Sequence, residues 1–212
     1  MVQDYAAARE NMVENQVRTN DVTNLAIQDA MRQVDRERFC PPGKEHLAYA
    51  ESEIEYAPGW FLMCPRDVAK LIEAVDPKPG EKALAIAAPY AASVMVKMGV
   101  EVIARMPAET AMPMGDALQP YCTQVEAGPP ASVSEWGPFD VIVVEGAVPK
   151  ALDVWTAALA VGGRLGVIER TGPVGKARVY IKAQDGTVAS REVFDATPTI
   201  IKGFAPAPAF AF

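Results

Sequence analysis

The sequence has little of what most site chemistries need. It holds one histidine, His46, which lies in no recognisable motif. A serine–histidine–acid or cysteine–histidine device would depend on that residue, so none is expected. Three cysteines, Cys40, Cys64 and Cys122, are odd in number and show no Cys-x-x-Cys spacing. That argues against a disulfide framework and against a zinc site, and it fits a reducing cytoplasm. No metal ligand and no catalytic residue is assigned. No lysine or arginine run offsets the net charge of −7, so a nucleic-acid partner, which needs a basic surface, is not expected. Long apolar runs are missing as well. The longest, Ala83 to Val96, is interrupted by Pro89 and is too short to span a bilayer. Residues 1–5 carry no apolar core of a signal peptide. The expectation is a cytoplasmic protein without a membrane partner; oligomeric state stays open.

What is present is ordinary globular material. Half of the 212 residues are hydrophobic and 22% are charged, enough for one domain with a sizeable core. The first forty residues read as two helices. Asp4 can cap the first, and Asp21 the second, whose apolar stripe would begin with Val22, Leu25 and Ala26. Residues 44–62 read as a loop-rich segment in which Glu51, Glu53 and Glu55 are simply solvated. Pro65 suits the first turn of a third helix, with Val68, Leu71, Ile72 and Val75 at helical spacing.

The pattern then changes. Ala83 to Ala87 is a short all-apolar run, as in a buried parallel strand. A helix from Tyr90 to Met98 follows, then strands at Val100–Ala104, Thr123–Glu126 and Phe139–Val144, with at most a short helix between 107 and 120. Lys150 to Ala160 reads as a helix stopped by Gly162-Gly163, and Leu165–Ile168 as another buried strand. Asp185-Gly186 between Arg178–Ala183 and Thr187–Phe194 is a hairpin signal. The tail from Phe204 to Phe212 is expected to be extended and packed by its rings. The sum is an α/β fold: a doubly wound, mostly parallel Rossmann-like sheet with an antiparallel C-terminal hairpin. Residues 1–62 would form a helical cap and 63–212 the core of one domain spanning 1–212.

Four segments resemble the protein-L-isoaspartate O-methyltransferases, a family of class I, S-adenosylmethionine-dependent methyltransferases. Val34-Asp35-Arg36-Glu37-Arg38-Phe39-Cys40-Pro41 is similar to their V-x-R-E-x-F-V-P segment. Met63-Cys64-Pro65 resembles the substrate loop, which usually reads Ser-x-Pro. Residues 137–144 resemble the fourth-strand motif, and Gly162-Gly163-Arg164-Leu165 the entry to the fifth strand. The resemblance implies transfer of a methyl group from S-adenosylmethionine to the α-carboxylate of an isoaspartyl residue. A carboxylate is already nucleophilic at neutral pH, so such chemistry needs alignment more than a general base. The implied cofactor-side residues are Ala87, Ala88, Tyr90, Glu126 and Glu145, and the implied substrate-loop residues are Met63 and Pro65.

The chain departs from the family pattern where the cofactor should sit. The acid that ends the family's first strand is Ala85 here. The G-x-G-x-G loop is replaced by Ala87-Ala88-Pro89, about two residues shorter. The acid that ends the second strand is replaced around Ala104-Arg105-Met106. Glycines there allow positive φ and close backbone approach, and Pro89 removes a donor. Three readings follow. In the first, cofactor binding is lost, no cofactor is bound, and the fold serves as a scaffold or regulatory partner for a protein or peptide. In the second, the protein is an active isoaspartyl methyltransferase with a divergent loop. In the third, the same crevice binds another small ligand through Glu145 and Arg105.

Overall fold

The computed structural model describes residues 4–121, 124–133 and 135–204. Helix α1, Tyr5–Met12, starts where the Asp4 carboxylate accepts from Ala7 N at 3.0 Å. It continues as a π-helical segment over Val13–Val17 and a 3₁₀ turn over Arg18–Asn20. Asp21 does not cap α2 (Leu25–Gln33). It sits in the left-handed region, φ 66°, at the end of the preceding turn, and Asn24 provides the cap by accepting from Ala26 N. The buried face is accordingly Ile27, Ala30 and Met31, whereas Leu25 is 68% exposed.

Residues 44–62 are more ordered than a loop. They hold a 3₁₀ turn, Glu45–Leu47, and a hairpin of β1 (Ile54–Ala57) and β2 (Trp60–Leu62). Helix α3, Pro65–Val75, begins on its proline and buries Val68, Leu71, Ile72 and Val75.

The main sheet contains β3 (Lys82–Ile86), β4 (Glu101–Met106), β5 (Gln124–Ala127), β6 (Phe139–Val148), β7 (Leu159–Glu169), β8 (Gly175–Lys182) and β9 (Val188–Ala196). Their order is β5-β4-β3-β6-β7-β8-β9. Pairs from β5 to β7 are parallel; β8 and β9 add as an antiparallel meander. Helices α4 (Pro89–Lys97), α5 (Ala111–Leu118) and α6 (Asp153–Ala157) make the crossovers. Ala83–Ile86 of β3 and Val141–Val144 of β6 are all apolar and buried, as in inner parallel strands covered on both faces, and the order reverses beside β3. The carboxyl ends of β3 and β6 therefore diverge into the crevice where open α/β sheets bind ligands.

Gly162-Gly163 does not stop a long helix. Helix α6 has five residues, and both glycines lie inside β7. A Cβ on Gly163 would stand 2.7 Å from the carbonyl oxygen of Phe139, so only glycine allows β7 to approach β6 there. Arg164 then fastens β7 to α3, donating to Val75 O at 2.9 Å and to both Glu81 oxygens at 2.8 and 2.9 Å.

The chain beyond β9 returns across the crevice. Thr199, Ile200 and Ile201 run beside Ala147, with Ala147 N to Thr199 O at 3.0 Å and Ile201 N to Ala147 O at 2.8 Å. Phe204 packs against Trp155 with ring centroids 5.9 Å apart; the rest of the expected tail lies outside the described residues. Among the described residues no helix is long and apolar enough to cross a membrane.

Gly166 tests the packing of α3 on β7. A Cβ there would meet Val75 Cγ1 at 2.7 Å and Leu71 Cδ1 at 3.2 Å. Gly166→Ala should lower the unfolding free energy by roughly 1–3 kcal/mol through overpacking, read as a lower urea midpoint at unchanged slope. An unchanged midpoint would mean that α3 yields freely.

Candidate functional site

The turn from β3 to α4 forms one wall of the crevice. Ala87 has φ +50°, a left-handed conformation that costs a residue with a Cβ roughly 1–2 kcal/mol. The strain is held by neighbours: Ala87 N donates to Arg105 O at 2.9 Å, and Ala88 O accepts from Ala92 N at 2.9 Å. Pro89 takes the first helical position, where a missing N–H costs nothing. Ala85, Ala87, Ala88 and Tyr90 are all buried.

The opposite wall ends in Glu145, which is 2% exposed. Its Oε1 accepts from Met63 N at 3.0 Å, and its Oε2 lies 3.4 Å from Ala91 N in the first turn of α4. The carboxyl thus bridges the entry to α3 and the start of α4. Met63 also turns its sulfur to Gly146 N, 2.8 Å away. Pro65 lies two residues further on as the first residue of α3. The structure therefore brings Met63, Ala87, Tyr90 and Glu145 to one place. Glu126 lies elsewhere. It is the cross-strand partner of Arg105 and pairs with it at 3.2 Å, while Arg105 Nη2 donates to Ser132 Oγ at 2.5 Å. The charge at the end of β4 is thereby turned to the β5 side, and Glu145 and Arg105 do not share a ligand position.

Sequence reasoning missed Arg36. It is completely buried, donates to Ala48 O at 2.8 Å and Met63 O at 2.5 Å, and lies 4.5 Å from the centre of the Tyr90 ring. Its place in the V-D-R-E-R-F segment was the only pointer; among charged neighbours Asp35, Glu37 and Arg38, nothing local marks it as the arginine that is buried and needs several acceptors. Glu53 was also misread as solvated: its carboxylate accepts from Thr199 N at 2.9 Å and from Thr199 Oγ1 at 2.7 Å. Glu51 pairs with Arg66, and Glu55 accepts from Gly59 N.

Gly146 has φ +128°, and a Cβ on it would stand 2.6 Å from Ile201 Cγ1, so the returning segment lies directly on the end of β6. The cavity left between Trp60, Ala87, Glu145, Gly146 and Ile201 is about 10 Å³, room for at most one water. Larger clefts lie elsewhere, two of them on the parallel strands. One, about 480 Å³, is at the amino ends of β3 to β5 beside Trp136; the other, about 420 Å³, is beside Arg105 and Glu135. Ala85 carries no carboxylate at the end of β3, and Arg105 carries a positive charge at the end of β4. Among the described residues no His, Cys, Asp and Glu cluster could hold a metal ion.

Burial pushes the Glu145 carboxyl up to about 7; nearby Arg36 and the two backbone donors pull it down less strongly. A folded-state value above the unfolded one means that this group favours folding fully below about 4.5, and that the contribution is lost as pH rises through about 7. The loss amounts to roughly 3 kcal/mol. Glu145→Gln should remove it. Urea unfolding between pH 4.5 and 8 should show the wild type losing stability relative to the variant as pH rises; parallel profiles would refute the assignment.

The profile of the family described as protein-L-isoaspartate(D-aspartate) O-methyltransferase matches residues 7–197. The protein-L-isoaspartate O-methyltransferase of Methylorubrum extorquens is 34% identical over 180 residues, covering 77% of this chain and 75% of that protein. Protein-L-isoaspartate O-methyltransferase 1 of Rhodopseudomonas palustris is 36% identical over 173 residues, covering 76% and 69%. Among solved structures, one described as a Plasmodium falciparum protein-L-isoaspartate O-methyltransferase in complex with S-adenosyl-L-homocysteine superposes with a TM-score of 0.77. It is 17% identical, with 92% of this chain and 98% of that chain covered. The fold is therefore that of a Rossmann-like methyltransferase, and the chain belongs to the protein-L-isoaspartate(D-aspartate) O-methyltransferase family.

Proposed function

We propose that this chain keeps the methyltransferase fold with its cofactor crevice closed, and works as a scaffold or regulatory partner by binding a protein or peptide. The observation that carries the reading is the Glu145 side chain, buried between Met63 N and Ala91 N beneath Ile201, in a cavity of about 10 Å³. Ala85 and Arg105 support it, since neither can accept from a ligand hydroxyl or ammonium as a carboxylate does. Each lost charge-assisted hydrogen bond costs roughly 1.5–3 kcal/mol. Two such losses weaken binding by about two to four orders of magnitude.

The comparisons by themselves support a second reading, an active S-adenosylmethionine-dependent enzyme that methylates isoaspartyl carboxylates in damaged proteins. The family match spans most of the chain, and relatives at 34% and 36% identity bear the enzyme's name. That reading requires Glu145 to leave its position and the segment 199–201 to lift from β6.

Calorimetry with S-adenosylmethionine and S-adenosylhomocysteine on the purified protein separates the two. The closed-crevice reading expects no saturable heat up to millimolar ligand. Saturable binding, followed by methyl transfer to an isoaspartyl peptide, would establish the enzyme instead.

A further inference from the structure

The surroundings of Glu145 hold more donor capacity than its carboxyl uses. Arg36 is 0% exposed, and its Nη1 has no hydrogen-bond partner among the described residues, nor has the buried Tyr90 hydroxyl. The remaining Arg36 donors are committed to the carbonyls of Ala48 and Met63. Met63 in turn donates its N–H to Glu145. Ala91 N presents the first turn of the nine-residue helix α4, an end that favours negative charge. Arg36 and α4 have supports of their own beside Glu145. Arg36 is fixed by two carbonyls, and α4 by its own ladder and by its packing on Phe39 through Tyr90, ring centroids 6.3 Å apart.

We infer that this is a carboxyl-binding site that the chain fills with its own Glu145 side chain, and that a small aliphatic carboxylate takes the same place when that side chain is cut back. The inference rests on the closed-crevice reading. Glu145 is a ligand in cis. It enters from the end of β6, satisfies the donors of α3's entry and of α4, and leaves the strap of Thr199 to Ile201 free to settle on Gly146. An external carboxylate compound competes with an internal group whose effective local concentration is high, so the site is silent in the intact protein.

Glu145→Ala removes a CH₂–COO group, the heavy atoms of acetate. The donors stay preorganised, so acetate meets a formed site and gives up little ordering entropy. The test is thermal unfolding of the wild type, Glu145→Ala and Glu145→Gln in sodium acetate against sodium chloride at equal ionic strength. Glu145→Ala should melt lower than the wild type and rise saturably in acetate, by roughly 3–6 °C at ten times the dissociation constant. The wild type and Glu145→Gln, both with the site filled, should not respond. If Glu145→Ala is unfolded in chloride, recovery of its ellipticity in acetate is the readout. An acetate-insensitive Glu145→Ala, or an equal rise in all three proteins, would overturn the inference. S-adenosylhomocysteine binding to the wild type would instead overturn the closed-crevice reading, and that result is independent of the acetate response.

Discussion

The burial of one carboxyl organises the functional end of this molecule. Glu145 lies just past the last pairing of β6 with β3, at the irregularity between Val143 and Ala147, and its two oxygens reach backbone groups on separate elements, Met63 ahead of α3 and Ala91 in α4. A carboxylate taken out of water is costly unless it is paired and hydrogen-bonded. Here it has one good backbone donor, one long one and a buried guanidinium nearby, which is partial compensation. The carboxyl responds by holding its proton up to about pH 7. The arrangement trades stability above neutrality for a fixed geometry between β6, α3 and α4.

The covering segment follows from that geometry. Gly146 next to Glu145 carries no Cβ, and its φ of +128° turns the chain so that Ile201 can lie on it. Two exposed or half-exposed carboxylates then hold the cover: Glu53 takes the N–H and hydroxyl of Thr199, and Glu109 takes Trp60 Nε1 and Lys202 Nζ, both at 3.0 Å. Surface ion pairs of the Glu109–Lys202 kind contribute little alone. The strap's persistence is better ascribed to the main-chain bonds with Ala147 and to the apolar contact of Ile201.

Much of this could be read in the sequence, because the strong signals are local. The all-apolar β3 and β6, the proline-started α3 and the Asp185-Gly186 turn were visible as period, breaker and turn chemistry. The misreadings share one cause. Asn24 displaced Asp21 as the cap of α2, and Gly162-Gly163 served strand packing rather than a helix end. In both cases several residues fit the local rule, and tertiary contacts chose among them. The site was harder. Glu145 stood at the right sheet edge, but whether it faced a ligand or filled the space depended on Met63, some eighty residues away. Arg36 and Glu53 owe their roles to equally distant carbonyls and N–H groups, which no spacing reveals.

The β3–α4 turn shows why loss of glycine there need not unravel the fold. Ala87 still adopts the positive φ that the turn demands, at a cost of roughly 1–2 kcal/mol. What glycine supplies in addition is an uncovered backbone, which a ligand needs and a closed turn does not. With Ala87 and Ala88 buried and Pro89 occupying the first helical position, the methyl groups and the ring pack the turn from within. The strained conformation therefore persists because sheet topology requires a sharp turn out of β3, whereas the small side chains on it serve packing. Glu145 meets the same helix end with a carboxyl from within the chain. The backbone of the turn and the helix end are thus both contacted from within the chain, by the small side chains of Ala87 and Ala88 and by Glu145.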